Sequence, residues 1–284
     1  MPIDVARAVA AEPRSTTIAW DHKDIQLYHL GLGAGRPATD PDELRYTLES
    51  RLHVLPSFAT VAGAGMGVVG GMSAPGLDID LASVLHGSQR VELHRPIPVK
   101  GTATSRSRVA AVHDKGKAAV IVLRTEAADD DGPLWTCDAQ LFVRGEGGFG
   151  GERGPSRRLE LPARRPDRTV ERVIREDAAL LYRLSGDWNP LHADPEFAKL
   201  AGFDRPILHG LCTYGVTLKA VADTLLGGDV TRIRSYGTRF AGVVFPGETL
   251  RIRMWRDGGR VQASVTCADR DDAPVLADTL VETM

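Results

Sequence analysis

The chain is short of cysteine, of long apolar runs and of net charge, and each shortage excludes a class of protein. Its three cysteines, Cys137, Cys212 and Cys267, lie far apart without a CxxC pair, so we expect neither a disulfide framework nor a zinc knuckle. No stretch approaches the roughly 18 apolar residues of a membrane span. With 35 basic and 37 acidic residues, the chain has no global field to attract nucleic acid or an acidic membrane. We therefore expect a small-molecule ligand.

Several sequence signatures are also missing. The first residues, MPIDVARAVAAEPRS, lack an apolar stretch of signal-peptide length, and the last four, VETM, do not form a peroxisomal tripeptide, so we expect a cytoplasmic protein. The absence of a GxSxG elbow and of a GxxxxGK[ST] loop argues against a serine hydrolase and a nucleotide triphosphatase. GMGVVG, residues 65–70, matches GxGxxG, but Pro75 and Gly76 follow before a helix could form, which argues against a dinucleotide site.

Composition and length indicate an ordinary globular protein. The 284 residues, 43% of them hydrophobic and 25% charged, suffice for one large or two medium domains. Gly, Arg and Pro crowd residues 145–168 and leave no apolar periodicity there, which is typical of a surface linker. The sequence therefore predicts two units, residues 1–144 and residues 169–284.

The two predicted units share a plan at an offset of about 150 residues. DIQLYHLGLG, residues 24–33, and DAALLYRLSGD, residues 177–187, both resemble a short helix, with Tyr28 matching Tyr182. Each half continues with a Pro, a Gly turn and alternating strands, and each has an apolar helical segment, at residues 56–65 and 210–226. The pattern predicts an α+β fold in which an antiparallel sheet wraps round one apolar helix, twice over.

The densest cluster of polar residues is YRLSGDWNPLHADPEFAKLAGF, residues 182–203. Pro190 disfavours helical geometry at Asn189, so Asp187 and His192 are predicted to lie on a bend rather than on a helical face. Asp194 followed by a proline is typical of a helix N-cap. A bend held between two helices can aim a carboxylate and an imidazole at one point.

This cluster resembles the signature of the hydratase 2 family, the MaoC-like (R)-specific enoyl-CoA hydratases, written Y-x-L-S-G-D-x-N-P-L-H-x-D-P and followed by A-G-F and P-I-L-H-G-L. LHGSQ at residues 85–89, HDKGK at 113–117 and FPGETL at 245–250 extend the resemblance to the two-domain members, such as the hydratase region of peroxisomal multifunctional enzyme type 2 and its bacterial homologues. The resemblance implies a double hot dog fold, usually a homodimer, and no metal or redox cofactor, because the substrate itself carries coenzyme A.

The resemblance also implies roles for individual residues. Asp187 and His192 form the catalytic pair, Asn189 orients and holds water, and the backbone N–H of Gly210 polarises the thioester carbonyl. Further positions that support or line the CoA-thioester site in the family fall on His86, Gly87, Lys115, Tyr182 and Phe240. The first half has GLGAG in place of the motif, which in the family makes room for a bulky acyl group, so we expect residues 56–71 to border the acyl tail.

The chemistry of these residue types agrees with that assignment. Hydration of an enoyl thioester needs a base to take a proton from water and an acid to protonate C2, and a neutral histidine beside a carboxyl group supplies both. We expect His192 to activate water and Asp187 to deliver the proton, with a helix-start N–H stabilising the negative charge on the thioester oxygen.

Plainer roles remain open for several of these residues. Asn189 could serve only the Asn-Pro turn, and Gly210 only tight packing. His209 invites pairing with His192 as a metal ligand, but no HxH or HxxxH spacing supports that pairing, and a hydrogen-bonded structural histidine is favoured.

The leading functional hypothesis is an (R)-specific enoyl-CoA hydratase. A (3R)-3-hydroxyacyl-[acyl-carrier-protein] dehydratase shares the motif and the chemistry. An acyl-CoA thioesterase and a non-catalytic acyl-CoA sensor rank lower, because neither needs this acid/base pair.

Overall fold

The computed structural model describes residues 3–63, 74–80, 83–156 and 158–284. The GMGVVG string and part of the 56–71 segment therefore lie outside the described residues. The strands are β1 (Arg14–Trp20), β2 (Val84–Leu93), β3 (Gly101–Asp114), β4 (Ala118–Asp129), β5 (Gly132–Arg144), β6 (Arg168–Val173), β7 (Ile233–Phe240), β8 (Thr249–Asp257), β9 (Arg260–Cys267) and β10 (Ala273–Thr283). The α-helices are α1 (Val5–Val9), α2 (His22–Gly31), α3 (Pro41–Leu44), α4 (Ala178–Tyr182), α5 (Pro195–Leu200) and α6 (Gly210–Leu225). Short 3₁₀ helices span Glu49–Arg51, Pro56–Thr60, Arg183–Ser185, Pro190–His192 and Val230–Arg232.

The ten strands form one antiparallel sheet in the order β1-β3-β4-β5-β2-β7-β10-β9-β8-β6. The strands of each half can be numbered one to five along the sequence. Counted outwards from the central β2–β7 pair, both halves then have the order two, five, four, three, one. The two halves join where β2 pairs with β7, from Ser88 opposite Arg239 to Glu92 opposite Ser235. The identical strand order confirms the predicted duplication of an α+β unit.

The helix α6 fills the interior of the second unit. Every residue of it from Cys212 to Ala222 is buried, as expected for a helix that is apolar all round. Its close contact with the first unit is at Gly215, where a Cβ would lie 2.6 Å from Leu32 Cδ2 and 2.7 Å from the Tyr28 hydroxyl. The helix is therefore enclosed by both halves of the chain.

The matching segment of the first unit differs from the prediction. Residues 56–65 were expected to form a similar apolar helix, but the described part contains only the 3₁₀ helix Pro56–Thr60. The chain leaves helical geometry by Gly63, which has φ +74°. The first unit therefore presents a shorter central element to the interior.

Packing joins the two units into one core. Trp20 and Trp135 from the first unit belong to the same buried cluster as Tyr236 and Met254 from the second. A smaller cluster lies under α1 on the first unit. All three cysteines are buried and free. Among the described helices, none has the length and apolar character that crossing a membrane demands.

The segment between β5 and β6 lies along the surface of the second unit. Its described residues, 145–156 and 158–167, contain no helix or strand. The Leu159 N–H donates to the Asp278 carboxylate at 2.8 Å, and the Trp255 indole N–H donates to the Arg164 carbonyl at 2.8 Å. Backbone and side-chain hydrogen bonds therefore hold this connection in place.

A buried ion-pair network links the two units. Lys219, on α6, donates to Glu43 on α3 at 2.7 Å and to Asp223 at 2.8 Å. Its ammonium also lies 4.5 Å from the centre of the Tyr46 ring, and the Tyr46 hydroxyl donates to Asp223 at 2.7 Å. The Lys219 side chain is only 8% exposed, so its charge depends on these partners for stabilisation.

Replacing Lys219 with methionine should destabilise the protein strongly. The substitution leaves the Glu43 and Asp223 carboxylates without their shared cation, so the free energy of unfolding should fall by about 3–5 kcal/mol. Urea denaturation measures this change. The control is Lys199→Met, because Lys199 pairs with Glu196 at the surface and is 61% exposed; its effect should stay within about 0.5 kcal/mol. Equal losses in the two variants would contradict the stabilising role of the network.

Candidate active site

A cavity of about 590 Å³ opens between the two units. The first unit contributes apolar residues such as Val61, Leu85 and Leu141, and the second contributes Val244 and Leu276. Most of the predicted site residues line this cavity, namely His86, Tyr182, Asp187, Asn189, His192, Gly210 and Phe240. The structure therefore brings residues that are distant in the sequence to one apolar cavity.

The bend predicted at Asn189 and Pro190 is present and is held by local hydrogen bonds. After the 3₁₀ helix Arg183–Ser185, Gly186 adopts φ +118°, in the region that favours glycine. The Asp187 carboxylate then accepts the Asn189 N–H at 3.2 Å. The Asn189 side-chain oxygen accepts the Leu191 N–H at 3.0 Å and caps Pro190–His192. Asn189 thus has the turn role, and it also lines the cavity.

Asp187 and His192 face each other across this bend. The distance from Asp187 Oδ2 to His192 Nε2 is 4.0 Å, which is too long for a hydrogen bond and leaves both groups available to a bound molecule. His192 Nδ1 lies 2.9 Å from the Ile207 carbonyl oxygen and donates to it, so Nε2 is the basic nitrogen. Burial lowers the pKa of His192, which favours the neutral imidazole.

Gly210 begins α6 at the edge of the cavity. The first N–H groups of a helix have no acceptor within it, and they carry partial positive charge. Of the first four N–H groups of α6, those of Cys212 and Thr213 reach the His209 carbonyl at 3.0 and 3.3 Å. A Cβ at position 210 would lie 3.1 Å from the Phe240 ring, so glycine lets Phe240 close over the helix start. Gly210 can therefore allow the close packing of Phe240 and also offer its backbone N–H at the helix start.

The first unit contributes a histidine to the site. The His86 ring lies 4.8 Å from the Phe240 ring, centre to centre, and its buried Nε2 has no hydrogen-bond partner within the described ranges. Burial lowers the pKa of His86 to about 4, so the ring is neutral. Gly87 occupies the register shift between His86 and Ser88, where a Cβ would lie 3.1 Å from the Gln140 carbonyl oxygen.

Tyr182 supports the floor of the cavity. It is 1% exposed, and its ring lies 5.8 Å from that of Tyr28, the residue matched to it by the internal repeat. Its hydroxyl is buried with no hydrogen-bond partner among the residues that the structure describes, and burial raises its pKa. The hydroxyl is therefore a neutral donor that a bound molecule or water can engage.

Lys115 and Gly87 are the predicted site residues that do not line the cavity, and Lys115 lies farther from it in the fold. It lies in the turn between β3 and β4, and its ammonium donates to the Pro155 carbonyl at 3.2 Å. The neighbouring Asp114 accepts the N–H groups of Gly148 and Gly150 at 2.9 and 2.8 Å. These contacts hold the turn against the connection between the units. A turn sequence alone does not reveal such long-range contacts.

In the first unit, a backbone N–H near the start of the matching segment is bonded to a side chain of the same unit. The Leu55 N–H, beside the start of Pro56–Thr60, points to His29 Nε2 at 3.4 Å. His29 Nδ1 donates to the Tyr46 carbonyl at 2.9 Å, and burial lowers the pKa of His29 to about 4. An internal imidazole thus takes the N–H of Leu55, the residue that matches Leu211 in the second unit.

His209 makes the hydrogen bond expected of a structural histidine, to the Asp187 carbonyl, but its contact with His192 was not predicted. Its ring stacks on His192 with centres 3.7 Å apart and planes 29° apart. Ligand atoms of Asp187, His192 and His209 come within 4.8 Å of one another, as in a metal centre. However, stacked rings direct their in-plane lone pairs almost parallel, whereas a tetrahedral zinc site needs them to converge. The only sequence signal was the histidine directly before the helix-start glycine.

Comparisons with known proteins agree with this geometry. Residues 158–273 match the MaoC like domain, and residues 19–145 match the MFE-2 hydratase 2 N-terminal domain. An enoyl-CoA hydratase of Mycobacterium tuberculosis is 50% identical over 279 residues, which cover 98% of each chain. The chain belongs to the hydratase 2 family of MaoC-like proteins.

Solved structures confirm the fold of this family member. The crystal structure of a MaoC-like dehydratase from Phytophthora capsici has a TM-score of 0.89 and 32% identity, covering 99% of this chain and 98% of that one. A double hot dog protein of Mycobacterium tuberculosis, at 13% identity, has a TM-score of 0.59 over 96% of this chain and 95% of its own. The predicted double hot dog fold is confirmed.

The lowered pKa of His192 predicts the pH dependence of the site. A general base must be neutral, and burial moves the pKa of His192 below its ordinary 6.5. Activity on an enoyl thioester should therefore persist at pH 6.5 and fall only as the pH drops through the lowered pKa. A profile of kcat/KM from about pH 4.5 to 8 locates this acid limb. Circular dichroism at each pH separates loss of the base from unfolding, and an acid limb above pH 6.5 would contradict the assignment.

Proposed function

We propose that this protein is an (R)-specific enoyl-CoA hydratase of fatty-acyl or sterol side-chain metabolism. It is a hydro-lyase that adds water to trans-2-enoyl-CoA to give (3R)-3-hydroxyacyl-CoA. The observation that carries the proposal is the arrangement of a neutral imidazole, a carboxylate and a helix-start N–H around one apolar cavity. The similarity to an enoyl-CoA hydratase over nearly the whole chain supports it.

The Gly210 N–H is the donor for the thioester carbonyl. As water attacks C3, electron density moves through the conjugated double bond to the carbonyl oxygen, which becomes negative. A donor fixed at a helix start stabilises that charge without having to reorient. Phe240 packs against Gly210 beside this position.

His192 and Asp187 move the protons. His192 Nε2 takes a proton from a water molecule that the Asn189 amide nitrogen helps to hold, while the oxygen bonds to C3. Asp187 takes part as the carboxylic acid: it delivers its proton to C2 from the same side of the cavity and is left as the carboxylate. Proton transfer from His192 to Asp187, which face each other at 4.0 Å, then restores the starting state.

The apolar lining accommodates the acyl group. Val61, Leu85 and Leu141 reach the cavity from the first unit, which carries no acid/base motif of its own. Burying an acyl chain against such side chains is favourable, at about 0.8 kcal/mol for each CH₂ group. The first unit thus provides room for the acyl chain, while the second provides the chemistry.

Assembly, location and cofactor use complete the proposal. The family resemblance supports a homodimer, whose mass light scattering would measure directly. The three buried free cysteines support a reducing, cytoplasmic location. The stacked geometry of His192 and His209 supports a reaction without a metal, and the substrate itself supplies coenzyme A.

A second candidate is the dehydratase reaction on acyl-carrier-protein thioesters. The similar protein from Phytophthora capsici is named a dehydratase, and dehydration is the same chemistry in reverse. A thioesterase would instead release a free thiol. The three activities therefore differ in carrier and in product, and one set of assays separates them.

Asp187→Asn and His192→Gln should each lower kcat by about 10²–10⁴, because each removes a positioned acid or base. Loss of enoyl absorbance is followed with crotonyl-CoA, a long-chain enoyl-CoA and the matching carrier-protein thioester, with chiral analysis of the product. His94→Gln is the control, since His94 contacts Thr136 outside the cavity. If both site variants stay within tenfold of the wild type, the pair is excluded. Free thiol release would favour the thioesterase instead.

Gly210 allows the backbone N–H to be tested separately from packing. Gly210→Ala and Gly210→Pro both add a Cβ near Phe240, but only proline removes the N–H. Proline suits the first position of a helix, and His209 already has the extended geometry that a following proline requires, with φ −56° and ψ 132°. We expect the proline variant to have a kcat lower than that of the alanine variant by a further factor of about 10²–10³. Equal kcat values in the two folded variants would remove the N–H from the mechanism.

A further inference from the structure

His209 occupies a central position behind the catalytic pair. Its side chain is 1% exposed and lies between His192, at 3.7 Å, and Tyr182, at 5.0 Å between ring centres. One face of the His192 ring is therefore covered by another imidazole rather than by water. His209 itself is not among the residues that line the cavity.

A hydrogen bond connects His209 to the other member of the pair. His209 Nε2 lies 3.2 Å from the backbone carbonyl oxygen of Asp187 and donates to it, so this ring nitrogen carries the proton. His209 Nδ1 is buried and lacks a hydrogen-bond partner in the described part of the chain. Burial, followed by the proximity of His192, lowers the pKa of His209, which favours the neutral ring.

Charged groups face the two rings from more than one side. Asp187 favours protonation of both rings, and Arg183 disfavours it. On its other side, His192 borders a second cavity, of about 730 Å³, whose charged residues are Glu176, Arg205, Glu248, Asp269 and Arg270. Burial remains the largest influence on the pKa of His192, and the ring of His209 contributes part of that burial.

We propose that His209 is a positioning residue that holds the two catalytic side chains in register, through ring stacking on His192 and a hydrogen bond to the Asp187 backbone. The proposal rests on the proposed function of that pair. The stack fixes the plane of the His192 ring and excludes water from one of its faces. The hydrogen bond fixes the backbone from which the Asp187 carboxylate projects. His209 therefore acts through its neighbours and does not touch the substrate.

The internal repeat supplies a matched control. The string Leu-His-x-Leu occurs at residues 52–55 and again at 208–211, so His53 is the counterpart of His209. His53 Nδ1 contacts the Gly228 carbonyl oxygen at 3.1 Å, away from the catalytic cavity. Substitution of His53 removes a histidine from the equivalent place in the other unit without altering the site.

The experiment separates the stack from the hydrogen bond by means of two variants. His209→Phe keeps an aromatic ring on His192 but cannot donate to Asp187. His209→Gln keeps an amide donor but exposes the face of His192. For both variants and for His53→Gln, kcat and kcat/KM on crotonyl-CoA are measured against pH, and melting temperature reports folding.

In His209→Gln, the acid limb of kcat/KM should move up by about one pH unit, because water reaches His192 and its protonated form becomes easier to solvate. In His209→Phe, the limb should stay in place while kcat falls about tenfold or more, because the carboxylate is misplaced. His53→Gln should match the wild type in both respects. An unchanged acid limb in His209→Gln, or a kcat of His209→Phe within twofold of the wild type, overturns the proposal.

Two further measurements test the proposal if the His209 variants fail to fold and distinguish its failure from failure of the proposed function. Histidine-ring NMR on the wild-type protein should show His209 neutral and protonated at Nε2 down to about pH 5. Protonation of His209 above that pH overturns the proposal even if neither variant folds. Asp187→Asn and His192→Gln test the proposed function separately. If those two variants retain activity, Asp187 and His192 are not the catalytic pair, and the proposed function fails whatever His209 does.

Discussion

The structure depends on the burial of one helix. The helix α6 is buried from Cys212 to Ala222, and its first residue, Gly210, is exposed at the cavity, where its N–H has no acceptor within the helix. Buried polar groups need a partner. The chain satisfies some of them with the His209 carbonyl and leaves Gly210 at the wall of the cavity. Enclosing this helix thus places its N-terminus at the cavity wall.

Enclosing that helix requires both halves of the chain. The second unit wraps its own sheet round α6, and the first unit covers the face at Gly215 with Tyr28 and Leu32. The buried Lys219 then joins α6 to Glu43 of the first unit. The first unit has kept this structural role although His29 takes the Leu55 N–H beside its own central 3₁₀ helix. Loss of chemistry in one unit is therefore compatible with retention of its packing.

Local sequence patterns predicted the parts of the site that depend on neighbouring residues. The Asn189-Pro190 bend, the alternating strands and the internal repeat are all set by short-range constraints on backbone geometry, and each is present. The string that carries Asp187 and His192 could also be recognised because its residues lie close together in the sequence.

Features that depend on tertiary packing could not be predicted in this way. The stacking of His209 on His192 joins residues 17 positions apart through the fold of two separate loops. The pairing of Lys219 with Glu43 spans 176 positions, and no periodicity indicates it. The position of Lys115 depends on hydrogen bonds to the connection between the units. The 3₁₀ helix Pro56–Thr60 also differs from the predicted apolar helix, because apolar composition alone does not distinguish a 3₁₀ turn from an α-helix.

The pairing of β2 with β7 affects how the gene can change during evolution. If the chain were divided between β5 and β6, each product would expose a strand with unpaired backbone groups, which is a template for association. Because the two halves share one strand order, a second-half product could pair with a copy of itself and form an assembly with two motifs. Covalent fusion raises the effective concentration of the correct neighbour and suppresses that self-association. A duplicated gene that stays fused can therefore let one copy of its motif decay while the shared sheet remains intact.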